Sequence, residues 1–269
     1  MAPRPAPPTR EARAALAALE ARVVLCRACP RLVAHREEVA RTKRAAYRDQ
    51  SYWGRPVPAF GDPLGRLLIV GLAPAAHGGN RTGRMFTGDR SGDWLYDALH
   101  AAGFANQPTS RSRDDGLELE DAFVTAAARC APPDNRPTPE EFARCRSYLV
   151  GEMRLLPNTR VVLALGALAW EHWLRAYEEI GGSVPKPRPK HAHGAEVRLS
   201  SITLLGSYHP SQQNTQTGRL TRPMLHSVFE RARAIVDGEA GAAAAAARDP
   251  APGARAASTS RRTRSASTG

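Results

Sequence analysis

Four short apolar runs, Leu67–Gly71 (LLIVG), Ala122–Ala126 (AFVTA), Val161–Leu165 (VVLAL) and Ile202–Gly206 (ITLLG), are separated by stretches with helical periodicity. Strands that alternate with helices in this way form a parallel sheet joined by crossover helices, so the chain reads as an α/β fold. The spacing predicts helices over Glu11–Leu25, with Leu16, Leu19 and Val23 on one face, and over Gly92–Ala102, Pro139–Leu156, Ala167–Ile180 and Arg222–Val236. The third start is the best marked: Thr138 is an N-cap, Pro139 suits the first helical position and Glu141 completes a capping box. One domain is expected over residues 10–237. The Pro-rich residues 1–9 and the Ala/Arg-rich residues 238–269 lack the large apolar side chains that offset the entropy of ordering, and are expected to be disordered.

Three long irregular segments, Leu72–Ser91, Ala127–Thr138 and Ser207–Thr221, follow predicted strands. Open α/β sheets bind ligands at the carboxyl ends of their strands, so the three should converge on one cleft. A fourth segment, Ser183–His193 (SVPKPRPKHAH), is basic and Pro-rich and reads as an exposed loop.

The 38 Lys and Arg against 26 Asp and Glu leave a net charge of +12. From Gly238 onward five Arg face Glu239 and Asp249, a net +3, so residues 1–237 keep +9 and the charge belongs mainly to the body. Such a surface attracts a polyanion such as nucleic acid. No apolar stretch approaches the ~20 residues needed to cross a bilayer, and the first residues have no apolar core to act as a signal peptide. A soluble cytoplasmic protein without membrane contact is expected, and a monomer.

Four cysteines are too few for a disulfide scaffold in a chain this long. Cys26-Arg27-Ala28-Cys29-Pro30 offers two sulfurs from one turn, and Cys130 and Cys145 complete a tetrahedral set. The spacing suits zinc or an iron–sulfur cluster and does not separate them. The competing reading is four buried free cysteines that pack as small apolar side chains.

The loop after the first strand, Gly71–Asp89 (GLAPAAHGGNRTGRMFTGD), is Gly-rich but carries neither G-x-x-x-x-G-K-[ST] nor G-x-G-x-x-G, so nucleotide hydrolysis is unsupported. Gly71-Leu72-Ala73-Pro74 makes a tight exit with backbone groups free to meet a flat ligand, and Phe86 can stack on one. The fourth strand runs into Ser207-Tyr208-His209-Pro210-Ser211-Gln212-Gln213-Asn214-Thr215, which projects an imidazole into the cleft.

Gly71–Asp89, Cys130–Thr138 (CAPPDNRPT) and His209–Thr215, taken in order and with all four cysteines, resemble the family 5 (B-type) uracil-DNA glycosylases of bacteria and archaea. The resemblance covers roughly Leu25 to Val236. It implies an α/β/α sandwich around a four-stranded parallel sheet, a [4Fe–4S] cluster rather than zinc on Cys26, Cys29, Cys130 and Cys145, and excision of uracil and other deaminated bases such as hypoxanthine from double- and single-stranded DNA beside the nucleoid. The neighbouring family 4 enzymes share the cysteines but carry a carboxylate after the first strand and an Asn at the end of the second. Here those positions are Leu72 and Ala126, which implies looser discrimination at the uracil edge.

On this resemblance His209 donates to the departing base and Asp89 positions the water with help from Asn135, while Asn214 assists in orienting water or DNA. Gly71, Ala73, Pro74, His77, Asn80 and Phe86 line the base pocket. Each has a plainer reading: a loop histidine for His209, a helix cap for Asp89, a backbone-satisfying turn residue for Asn135, and a Gly78-Gly79 turn shaped by His77 and Asn80. Gln212–Leu220 is expected to fill the vacated base stack, and Lys186, Arg188, Lys190, Arg81, Arg84, Arg219 and Arg222 are candidate phosphate contacts. A family 4-like enzyme and a non-catalytic, metal-stapled nucleic-acid-binding module are the alternatives.

Overall fold

The computed structural model of the chain describes residues 10–238. In chain order its elements are α1 (Arg10–Val24), α2 (Pro30–Thr42), β1 (Phe60–Gly61), β2 (Leu67–Gly71), α3 (Gly79–Thr82), α4 (Arg90–Ala101), β3 (Ala122–Ala126), α5 (Pro139–Leu155), β4 (Val161–Leu165), α6 (Ala167–Glu179), β5 (Glu196–Leu199), β6 (Ile202–Ser207), α7 (Gln212–Gln216) and α8 (Arg222–Val236). Residues 1–9 and nearly all of the tail expected to be disordered lie outside the described residues.

The sheet runs in the order β1-β3-β2-β4-β6-β5. Its four central strands are parallel, as the apolar runs predict. Two short antiparallel edge strands, β1 and β5, extend the four-stranded expectation to six. Both escape the sequence pattern because β1 has two residues and β5 (EVRL) is a polar edge with one buried side chain.

Alternation along the central strands builds two cores and hence three layers. Leu67 and Ile69 of β2 pack with Leu95, Tyr96 and Leu99 of α4 and Leu225 and Phe229 of α8. Leu68 and Val70, facing the other way, pack with Leu16 of α1 and Trp170, Trp173 and Leu174 of α6. Each such side chain stabilises the fold by about 1.5–3 kcal/mol when fully buried. No helix among the described residues is long and apolar enough to cross a membrane.

Helix α2 is absent from the sequence prediction. It begins with Pro30 at its first turn, and its inward face is Leu32, Val33 and Arg36. A charged residue on the buried stripe hides the apolar period. Helix α5 carries the predicted capping box: Thr138 N donates to Glu141 Oε2 at 2.7 Å and Glu141 N to Thr138 Oγ1 at 3.3 Å. Arg31 of α2 binds the same Glu141 carboxylate through Nε at 2.9 Å and Nη2 at 2.8 Å. The turn that holds Cys29 is thereby fixed to the helix that holds Cys145.

Candidate active site and cysteine cavity

Parallel pairing sets Gly71 opposite Ala126 and Leu165 opposite Ser207, so the loops that follow β2, β3, β4 and β6 leave from one edge of the sheet. The ladder continues past the strand ends, with Ala127 N donating to Gly71 O and Ala128 N to Leu72 O, each at 2.9 Å. Phe86 lies across Gly71 so closely that a Cβ there would stand 2.6 Å from Phe86 Cζ. Phe86 itself has φ 51°. A bulky residue held there stores about 1–3 kcal/mol of strain, which persists only where surrounding structure imposes it. Leu72 and Ala73 pack on Ala127, Ala128 and Phe142, and Pro74 is buried beside them.

His209 follows β6 by two residues, and its ring centroid is 6.0 Å from that of Phe86 with the planes 33° apart. Gly166, at the exit of β4, lies beneath it, where a Cβ would make an ordinary 3.4 Å contact with His209 Cβ. Removal from water holds the imidazole's pKa down at about 4. His209 is therefore neutral at pH 7, with one ring nitrogen carrying a proton to donate. Behind it, Asn214 Nδ2 donates to the His209 carbonyl at 2.9 Å.

Asp89 is the N-cap of α4, accepting from Gly92 N at Oδ1, 3.0 Å. Its other oxygen lies against Gly78, where any Cβ would fall 1.8 Å from Oδ2. Burial raises its pKa, and the Gly92 and Ser91 backbone N–H groups act in the opposite direction. Asp89 makes no hydrogen bond to Asn135 among the described residues. Asn135 stands exposed at φ 55°, closing the 3-10 turn Pro133–Asn135. His77 Nδ1 is tied to the Tyr52 hydroxyl at 2.9 Å, with burial lowering its pKa. Asn80 is placed differently from expectation. It is fully buried and its Nδ2 donates to Arg36 O at 3.2 Å, so it braces α3 against α2 instead of lining a pocket.

Two of the arginines expected at phosphate are also placed inside the fold. Arg84 is 4% exposed and its guanidinium binds Thr87, Ser110, Asp115 and the Arg113 carbonyl. Arg81 reaches the His77 and Gly88 carbonyls and stacks 4.0 Å over Tyr47. Arg188 pairs with Glu171 and Glu178, and Arg222 with Asp97. Lys186 and Lys190 are exposed with no ion-pair partner among the described residues, and exposed Arg219 lies 4.6 Å over Tyr208.

All four cysteines line one cavity, together with Leu32, Val33, Arg36, Arg129, Arg144 and Tyr148. Arg36 is 2% exposed and donates from Nη1 to Cys130 Sγ at 2.9 Å and from Nη2 to Cys26 O at 3.2 Å. Arg129 beside it is paired with buried Glu152, which also accepts from Thr125 Oγ1 at 2.7 Å. Burial pushes the Cys130 thiol up to about 11 and Cys145 to about 12. Among the described residues no group of three or more His, Cys, Asp or Glu side chains is gathered as a site for a single metal ion.

A family model of the Uracil DNA glycosylase superfamily matches residues 58–233, a span that contains the whole sheet and leaves out α1 and α2. Type-5 uracil-DNA glycosylases of Mycobacterium tuberculosis and Mycobacterium leprae are each 53% identical over 219 residues, which is 81% of this chain and 80% and 94% of theirs. The chain belongs to the type-5 uracil-DNA glycosylases. The type-5 enzyme of Thermus thermophilus is 52% identical over 78% of this chain and 93% of its own, whereas the type-4 uracil-DNA glycosylase of Thermotoga maritima is 29% identical over 65% and 79%. In this type-5 glycosylase neither Leu72 nor Ala126 supplies a polar side chain at the strand ends, where Phe86 and His209 lie against each other. Sequence reasoning missed Tyr52, Gly166 and Arg36. The first two carry no motif, and Arg36 is recognisable only once α2 is known to bury it.

Proposed function

We propose that this glycosylase hydrolyses the N-glycosidic bond of uracil in DNA and leaves an abasic site. The observation that carries the reading is the contact of neutral His209 with Phe86, whose ring lies over side-chain-free Gly71, on the edge where β2, β3, β4 and β6 end. A base taken out of the helix at a cost of a few kcal/mol stacks on Phe86, with backbone groups around Ala73 and Pro74 and the His77 side chain forming the wall. Bond cleavage leaves an oxocarbenium-like sugar and an anionic base. His209 donates its N–H to the developing anion on the base oxygen, and a neutral imidazole held in a low-dielectric site is suited to that role. Asp89, held by Gly92 at the start of α4, positions the attacking water, and Asn135 contributes from the rim.

Ala126 supports a broader substrate range: without a carboxamide there, Phe86 stacking and the His209 hydrogen bond accept hypoxanthine as well as uracil. Lys186, Lys190 and Arg219 remain available to phosphates of double- or single-stranded DNA.

The cysteine cavity fits a [4Fe–4S] cluster. Four cysteines line one space, and buried Arg36 offers positive charge and an N–H directly to a sulfur, the arrangement expected for a thiolate-ligated centre. Cys26, Cys29, Cys130 and Cys145 would hold the group. When bound, it supplies a covalent tie between the turn ahead of α2 and helix α5. The reaction itself rests on the strand-end residues.

The test is conversion of a uracil-containing oligonucleotide to an alkali-labile abasic site by the purified full chain. A hypoxanthine oligonucleotide beside it tests the wider range.

A further inference from the structure

Asn214 holds two segments at once. Its side-chain Nδ2 donates to His209 O at 2.9 Å, and its own carbonyl accepts from Leu220 N at 3.0 Å. Its backbone N–H is held by Ser211 Oγ at 3.4 Å, which caps α7 and fixes the helical turn that carries it. Leu220 is fully buried, so the far end of the Thr217–Leu220 loop is anchored in the core below α8. Inside that loop Gly218 turns at φ 71°, and Arg219 is left exposed with its guanidinium 4.6 Å over the Tyr208 ring. Tyr208 is also stacked with His193, at 5.3 Å and 29°, and its backbone N–H donates to His193 Nδ1 at 3.3 Å.

His209 is thus held twice, through its own carbonyl by Asn214 of α7 and through neighbouring Tyr208 by Arg219 of the loop that follows. Strand β6 ends at Ser207, so no sheet partner fixes that carbonyl, and Pro210 follows it with no N–H. The Asn214 amide is the donor that sets the peptide plane after His209 and with it the direction in which the imidazole leaves the chain.

We propose that Asn214 is a positioning residue for His209 and makes its placement depend on the Thr217–Leu220 loop. The proposal rests on the reading of His209 as donor to the departing base. It departs from the expectation that Asn214 itself orients water or DNA, because the amide nitrogen faces the His209 carbonyl. Oδ1 has no hydrogen-bond partner among the described residues, and the two roles therefore make opposite predictions for a carboxylate at this position.

The experiment compares Asn214→Ala and Asn214→Asp with the parent full chain in single-turnover excision on a uracil duplex, with duplex Kd, thermal midpoint and the His209 imidazole NMR resonance recorded for each. Loss of the carbonyl tie lets the imidazole wander, and misplacement on this scale costs ~10-fold or more in the chemical step. Asn214→Asp is expected to fall at least as far as Asn214→Ala, since an acceptor then faces an acceptor, with the His209 resonance shifted or broadened in both and Kd within about twofold of the parent. Arg219→Ala in either background should add less than in the parent, because both contacts act on one group. An Asn214→Asp enzyme as fast as the parent, or a His209 resonance unmoved in both variants, overturns the proposal. A parent that releases no uracil overturns the functional reading instead, and the resonance alone then decides whether Asn214 places His209.

Discussion

Arg36 donates to the sulfur of Cys130 at 2.9 Å from a guanidinium whose ion-pair partner among the described residues, Glu37, stands 3.9 Å away. A buried cation without a close carboxylate is costly unless negative charge lies beside it. Ligated sulfur would supply that charge. The purified protein is expected to be brown, with broad absorbance near ~400 nm and about four irons per chain. Arg36→Gln should lower the iron retained and speed bleaching in air. Metal analysis that finds zinc without iron, or a variant that keeps its iron as well as the parent, would contradict this account of the cavity.

The approach of Phe86 to Gly71 gives a second prediction. Gly71→Ala places a methyl 2.6 Å from Phe86 Cζ and must displace the ring, since the glycine backbone is pinned by Ala127. Overpacking of this kind costs about 1–3 kcal/mol of stability. Excision should fall by ~10-fold or more as the stacking surface shifts. Urea unfolding and single-turnover rates check the two parts separately, and a rate equal to that of the parent would remove Phe86 from the base pocket.

Neutral His209 makes the pH profile diagnostic. Its pKa of about 4 in the fold lies below the ordinary 6.5, so the imidazole stays neutral from pH 5.5 to 8 and the single-turnover rate should show no alkaline limb near 6.5. The same shift bears on stability. Below 6.5 the unfolded chain takes up a proton that the folded His209 refuses until about pH 4, so this group's contribution is lost as pH falls from 6.5 toward 4. A rate that declines above pH 6.5 in the parent but not in a His209 variant would show that the imidazolium is the working form.

Much of this was legible before the fold was known, and for a physical reason. Strands β2, β3 and β4 are buried along their whole length, so their apolar runs mark their ends as Leu67–Gly71, Ala122–Ala126 and Val161–Leu165, and the cleft residues follow from those ends. Arg84 and Asn80 mislead because a loop sequence does not reveal which polar side chains turn inward to satisfy backbone carbonyls. Helix α2 is hidden by Arg36, a charge in the place of an apolar residue. The role of Gly78 is equally silent in sequence, since the carboxylate it accommodates lies eleven residues on, at Asp89.

Glu20 provides a stability test away from the cleft. Burial first, and then Glu152, raise its pKa from 4.5 to about 8, while its Oε2 accepts from Ala59 N at 2.7 Å. Between those values the folded chain keeps a proton that the unfolded chain has released, so Glu20 makes stability fall as pH rises from 4.5 toward 8, with no further loss above that. Glu20→Gln should flatten that part of the profile in urea melts at pH 5, 7 and 9. An unchanged slope would place the titrating group elsewhere.

The central claim is that His209 supplies the donor for base departure in a DNA glycosylase. It is tested most directly by single-turnover formation of alkali-labile sites on a uracil duplex by the parent and by His209→Ala, with DNA affinity measured in parallel. The parent should convert uracil to abasic sites without nicking the strand before alkali. His209→Ala should be ~10²-fold or more slower, a loss of ~2.7 kcal/mol or more of transition-state stabilisation, with nearly unchanged affinity. No abasic sites from the parent, or a variant as fast as the parent, would contradict it.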